Sequence, residues 1–481
     1  MSSEKAPGER HPWREHLETA AVAVVMALVL KYFTLEAFQI PTGSMQPTLM
    51  GLDTSRGYPG YARTALRVSD RILVDKTTPF FRDPKRWEVW VFLFPLDRSN
   101  RYIKRVVGLP GEQIRVAYGD LFVRRDEREE WRILRKPAHV QESLWREVWA
   151  SAGEQRPGTF WDLSGFEESG SALSAEGSAR AVTREYIRDA YLDGYPPGIR
   201  GPLSEISGPR PGSTAVRDLR VRAAVRPSAQ HSQLALHVDW GADLLRAELS
   251  GPNGTGYHKI VLNDRELATV PGRLAPGKLH EVQFQRADEA AQITLDGEVI
   301  LRAEFASTHP VESFNIPFSS PNKAKIESEG GPIAIDSLAL DRDIHYTNRI
   351  QDEFLSATIP EGEYFMMGDN SSDSLDGRFW KEKRITIDDP VRGKITLRGG
   401  LSTSGESVSP NPRRNQSTDP ALRSQWIFRD ELGEEYRFER NEDHGTEVRH
   451  TVPREFFLGR AFFVFWPLPP FSPAARFQLI R

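Results

Sequence analysis

One stretch near the start of the chain restricts its possible folds more than any other: "AVAVVMALVL" (Ala21–Leu30), ten residues without a charge. Apolar character resumes after Lys31 through Tyr32, Phe33, Leu35 and Phe38. Taken from Leu17 to Phe38 the segment is long enough for a transmembrane helix, since about 20 mostly apolar residues cross about 30 Å of hydrocarbon. Lys31 and Glu36 would then reach toward the headgroups from its exit end. The alternative is a cleaved leader, but no small-x-small site follows, and Leu35, Glu36 and Phe38 suit one poorly. Lys5, Arg10 and Arg14 precede the span, which favours a cytoplasmic tail at 1–16 and a body on the extracytoplasmic side of the cell (inner) membrane.

That body reads as mainly β. With 481 residues the chain suggests two to four domains. Its net charge of −4 has no like-charge block behind it, so nucleic acid is not an expected partner. The absence of cysteine excludes disulfides, thiolate metal sites and cysteine nucleophiles. Strand signals dominate after Phe38: "RILVDK" (Arg71–Lys76), "WEVWVFLFP" (Trp87–Pro95), "YIKRVVGLPGE" (Tyr102–Glu112) and "AFFVFWP" (Ala461–Pro467). One helix is expected at Glu142–Trp149. In the middle, alternating runs such as "LRVRAAV" (Leu219–Val225), "LALHVDW" (Leu234–Trp240), "HEVQFQ" (His280–Gln285) and "ITLDGEVIL" (Ile293–Leu301) predict a β-sandwich or jelly roll at about 159–346. Asp296-Gly297 marks a type I′ hairpin turn inside the last of them. Polar, Gly- and Pro-containing stretches at Ser151–Ala179 and Gly399–Ser424 read as linkers or mobile excursions.

The chemistry begins at "IPTGSMQPTL", which sets Ser44 between Gly43 and Met45 in a stretch stiffened by Pro41 and Pro47. A serine hydroxyl attacks only when a base removes its proton. The 11 histidines fall in the N-terminal tail, the middle region and the late loops, so the candidate base is a lysine. Strand alternation places Lys104 on one face with Tyr102 and Val106, and Ile103, Arg105 and Val107 on the other. Such a lysine either extends to solvent or is buried and driven toward neutrality, a shift worth roughly 4.6 kcal/mol at pH 7. "GDNSSDSLDGRFW" (Gly368–Trp380) offers oxygen ligands but lacks the spacing and terminal Glu of a calcium loop, so no metal or cofactor is expected there.

"IPTGSMQPTL", "DRILVDK", "YIKRVVGLPGE", "GDNSSDSLDGRFW" and "VPREFFLGRAFFVFWP" (Val452–Pro467) follow the apolar segment in that order. The ordered set resembles the bacterial type I signal peptidases, membrane-bound Ser/Lys proteases that remove signal peptides from exported preproteins after small-x-small sites. The resemblance implies an all-β catalytic domain with Ser44 as nucleophile and Lys104 as general base. It implies an oxyanion hole from the Thr42 hydroxyl and the Ser44 N–H, and support from Ser374, Asp369, Asp376 and Arg378, with Ser374 orienting the lysine. The implied partners are secretory preproteins and membrane lipid, with Phe80, Phe81 or Trp87 resting on the bilayer.

The chain departs from the family in two long insertions. The organisation expected is a tail (1–16), a transmembrane helix (17–38), catalytic parts at 39–125, 351–380 and 452–481, an inserted domain at 126–350 and a second insertion at 381–451. The inserted strands resemble concanavalin- or laminin-G-like jelly rolls, which implies a glycan or protein ligand, or a plain structural appendage. Two other readings compete: a membrane-tethered binding scaffold with an inactive peptidase fold, and a self-cleaving regulator, which would need a helix-turn-helix where the apolar segment stands.

Overall fold

The computed structural model describes residues 12–29, 33–53, 67–151, 156–195, 212, 214–307, 322–347, 356–403, 409–466 and 477–481. The N-terminal helix runs Pro12–Val29, and Leu17, Val22, Val24, Val25 and Met26 stand exposed on it. Among the described residues no helix is long and apolar enough to cross a membrane. The expected span to Phe38 is cut short, because Leu35–Gln39 is a strand that pairs with Arg71–Asp75. Glu36 on that strand takes Arg101 at 2.9 Å and Lys76 at 3.5 Å, contacts that belong to a sheet surface.

The first body is built on an eight-stranded antiparallel sheet. Its path runs Leu35–Gln39, Arg71–Asp75, Phe457–Trp466, Val89–Phe94, Asp97–Gly108, Glu363–Met367 and Thr451–Pro453, with Gln478–Leu479 added beside Phe457–Trp466. Strands from the start, middle and end of the chain therefore lie side by side. Both faces of the central strands are covered, so Val89–Phe94 is nearly buried throughout rather than alternating. One face packs Trp90, Phe92, Phe94, Val106 and Trp380, and the other packs Ile72, Val74, Val89, Val91 and Val464. Phe80 and Phe81 are exposed on the short helix Thr78–Phe81, whereas Trp87 is buried and so unavailable to a bilayer. A four-stranded sheet of Gln113–Ala117, Asp120–Arg124, Arg132–Ile133 and Ser356–Thr358 continues this body.

The middle of the chain forms two facing sheets of eight and seven strands around one apolar core, a β-sandwich that starts at Arg146 and ends at Arg342. Asp296 (φ 52°) and Gly297 (φ 86°) make the expected left-handed hairpin turn. Two local expectations change. The helix is Ala138–Leu144, and Arg146–Ala150 is instead a strand on Ile333–Arg342, because Trp149 joins the sandwich core. The supposed linker Ser151–Ala179 contains Trp161–Ser164, Glu167–Ser169 and Ala172–Ala175, all of them sandwich strands. Residues 381–451 fold into small sheets around Ile385, Ile387, Leu397, Phe428 and Phe438.

Candidate active site

Ser44 lies in a turn fixed on both sides by apolar anchors: Ile40, Met45 and Leu49 sink into the core beneath the central sheet. The turn closes on itself through Gln46 N–H to the Gly43 carbonyl (3.2 Å) and Leu49 N–H to the Met45 carbonyl (2.8 Å). A second loop, Gly368–Ser374, clasps it. Asn370 donates its backbone N–H to the Ser44 carbonyl (3.1 Å) and its side-chain amide to the Gly43 carbonyl (3.0 Å). The loops approach so closely that a Cβ on Gly368 would collide with both Ser374 Oγ and the Ser44 carbonyl, which explains glycine there.

Lys104, on the Asp97–Gly108 strand opposite Trp90, points at this turn with Nζ 2.6 Å from Ser44 Oγ. Thr42 Oγ1 lies 3.4 Å from the same oxygen. Among the described residues these are the side chains in hydrogen-bond reach of Ser44 Oγ, and the Ser44 N–H donates to no partner. Lys104 is buried, and loss of hydration pushes its ammonium down to about 8, although Asp376 and Asp369 pull the other way.

The two aspartates are each held by an arginine. Arg105, fully buried on the opposite face of the strand from Lys104, grips Asp369 through two bonds of 2.7 Å, and Thr48 donates its hydroxyl to the same carboxylate. Burial works against the Arg105 charge, but Asp369 keeps its proton more tightly held than usual. Arg378 grips Asp376 at 2.7 and 2.8 Å, and Asp376 accepts the Gly368 N–H at 3.0 Å. Burial would raise the Asp376 carboxyl, yet the charge and hydrogen bonds of Arg378 hold it below the ordinary value. Ser374 is fully buried beside Asp376 and contributes to holding that carboxyl down, though among the described residues its Oγ makes no well-formed hydrogen bond, to Lys104 or to another group.

All seven residues singled out from the sequence thus gather around the junction of the two loops. Sequence reasoning missed Arg105, Thr48 and Asn370, and it missed Arg146, which donates to the Gln46 carbonyl and, at 3.0 Å, to the Asp369 carbonyl. A signal existed for Arg105, a second charge beside Lys104 in an apolar strand. Arg146 had none, since its segment read as helix.

A third carboxylate group, Asp120, Asp218 and Asp288, lies between the two bodies with oxygens within 4.8 Å of one another. Arg217 bonds Asp120 at 2.8 Å and Lys136 bonds Asp288, so cations of the chain already occupy this cluster.

The family profile described as "Signal peptidase, peptidase S26" matches residues 13–148 and 292–398, which together make up half of the chain. The first segment holds Ser44 and Lys104, the second the Gly368–Trp380 loop. A "Probable signal peptidase I-2" of Synechocystis sp. is 31% identical over 143 residues, 29% of this chain and 58% of that protein. A "Signal peptidase I" of Rickettsia prowazekii is 37% identical over 107 residues, 21% of this chain and 40% of that protein. The chain thus spans about half the length of these curated relatives. Among solved structures, the exoplasmic/lumenal domain of VIP36 aligns over 44% of this chain and 99% of its own at 9% identity, with a TM-score of 0.29. The laminarinase of Rhodothermus marinus aligns over 42% and 98% at 11% identity, with a TM-score of 0.28. Likenesses this slight carry no argument about the insertion.

Proposed function

Because the chain belongs to the signal peptidase (peptidase S26) family, its peptidase domain split around a central insertion, we propose that it is a serine endopeptidase that removes signal peptides from preproteins. The observation that carries this reading is the 2.6 Å approach of a buried lysine to Ser44. In the proposed reaction neutral Lys104 takes the proton of Ser44 Oγ as that oxygen attacks the scissile carbonyl carbon. The Ser44 N–H and the Thr42 hydroxyl receive the oxyanion, a role supported by the unpaired N–H and by the Thr42–Ser44 distance. Collapse breaks the C–N bond and the amine leaves with the proton from Lys104; water, deprotonated by Lys104, then attacks the acyl carbon, the C–O bond to Ser44 breaks, and Lys104 returns the proton to Ser44 Oγ. No step calls for a metal or cofactor.

Asp369–Arg105 and Asp376–Arg378 are read as the frame that keeps the two loops and Lys104 in register, with Ser374 as a buried spacer beside them. Exposed apolar side chains on the Pro12–Val29 helix, together with Phe80 and Phe81, support a membrane-tethered enzyme acting on its extracytoplasmic side. The catalytic parts are placed at 39–125, 351–380 and 452–481, and the sandwich is left open to a glycan or protein ligand. In a test with a preprotein carrying an Ala-x-Ala site in detergent, the intact chain should cut after that site. Ser44→Ala and Lys104→Ala should each fall by at least about a thousandfold. Equal cutting by Ser44→Ala would reject the reading, and absence of cutting by folded protein would favour a binding scaffold.

A further inference from the structure

We infer that Arg146, supplied by the inserted sandwich, is a positioning residue that pins the nucleophile loop to the Asp369–Asn370 loop, an inference that rests on the reading of Ser44 as nucleophile. Arg146 opens the strand Arg146–Ala150, which pairs with Ile333–Arg342 so that Arg146 stands opposite Arg342. Its backbone belongs to the sandwich. Its side chain leaves the sandwich and donates from one nitrogen, Nη2, to the carbonyls of Gln46 and Asp369. One of these carbonyls lies two residues past Ser44, the other beside the Asn370 amides that clasp Gly43 and Ser44.

The energetics indicate that this contact is more than filler between two bodies. Arg146 is 3% exposed and, among the described residues, makes no ion pair. Asp193, which favours the Arg146 charge, is itself bound by Arg342 at 2.7 Å. A buried guanidinium without a counter-ion is costly, and an apolar side chain of similar volume would join the bodies at lower cost. The charge is compensated by carbonyl dipoles, one from each of the two site loops. The Gln46 side chain does not serve instead, because among the described residues both of its buried polar atoms lack a hydrogen-bond partner, so the loop is held at this residue through its carbonyl. The sandwich therefore reaches the peptidase site through the strand Arg146–Ala150, in which the first family-matched segment, 13–148, ends.

The test uses the full-length protein in detergent with Arg146→Met and Arg146→Lys, measuring hydrogen exchange along the chain and cleavage kinetics on the same preprotein. For Arg146→Met, exchange in residues 40–50 should rise about tenfold, read at the internally bonded amides of Gln46 and Leu49, while exchange in 219–342 stays unchanged. Its kcat should fall by about tenfold to a hundredfold with KM nearly constant. Arg146→Lys should lie between the native protein and Arg146→Met in both readouts. Unchanged exchange at 40–50, an unchanged kcat, or exchange rising throughout the sandwich would each overturn the inference, the last by making Arg146 a structural residue of the insertion. If the native protein cuts no preprotein, the proposed function fails by itself, and the exchange pattern alone decides the role of Arg146.

Discussion

Lys104 has two properties that rarely coincide: it is buried, and it touches a hydroxyl with no other strong base in reach. Loss of hydration brings its ammonium from 10.5 to about 8, so a useful fraction is neutral near neutral pH. The same shift costs stability. Below pH 8 both folded and unfolded chains carry the proton, and the folded state bears the whole penalty, up to about 3 kcal/mol. Between about 8 and 10.5 the unfolded chain binds more protons, so stability rises with pH. Lys104→Met should therefore melt higher than the native protein at pH 7, with a gap that closes as pH climbs through that window. A constant gap across the window would show that Lys104 is not desolvated. Ser44 and Lys104 were legible through the ordered motifs that resemble the signal peptidases, since a serine between prolines and a lysine in an apolar strand would not by themselves have decided the roles. The burial of that lysine was not legible, since strand alternation alone fits solvent as well as core.

At the level of elements, the site is a seam between two loops and one strand. The Asp97–Gly108 strand sends Lys104 to one face and Arg105 to the other, and both are buried because the strand lies inside the sheet with cover on each side. Arg105 then reaches Asp369 and Thr48, tying the Gly368–Ser374 loop to the nucleophile loop. Asp369→Ala leaves a fully buried guanidinium without its counter-ion and should cost about 3–5 kcal/mol in denaturant unfolding. A loss below about 1 kcal/mol would mean that the pair is solvated. The alternating strands of the sheet and the Asp296-Gly297 hairpin could be read directly, since period two and a left-handed turn leave local marks. The strand at Arg146–Ala150 could not: Trp145 and Trp149 have helical spacing, and the choice was made by a partner almost two hundred residues away, Ile333–Arg342. The chain beyond Val29 shows a similar effect, where pairing with Arg71–Asp75 draws Leu35–Gln39 into a sheet.

Across the whole molecule, the peptidase and the sandwich share a buried electrostatic joint. Lys136 donates its backbone N–H to Asp288 at 2.7 Å and its ammonium to the same carboxylate, and the ammonium forms an ion pair with Asp343 at 3.1 Å; Arg217 bridges Asp120 and Glu289. Burial disfavours the Lys136 charge, but these carboxylates hold its proton well above the ordinary range. Lys136→Met should destabilise the protein by about 3–5 kcal/mol at pH 7, because two buried carboxylates lose their cation. The deficit should shrink in acid as Asp343, whose carboxyl burial raises, takes up a proton, whereas a deficit that is independent of pH would assign the loss to packing. The split of the domain around a central insertion was visible in the order of the motifs. The joint and the Arg146 contact were not, because each depends on charges far apart in sequence that meet only after both bodies have folded.

The most direct test of Lys104 as the base for Ser44 is the pH dependence of kcat/KM for cleavage of an Ala-x-Ala preprotein by the full-length protein. A rise to a plateau through one titration near pH 8, lost in Lys104→Ala, is the predicted result. A midpoint near 6.5, or a profile that survives removal of Lys104, would contradict it and place the base on another residue.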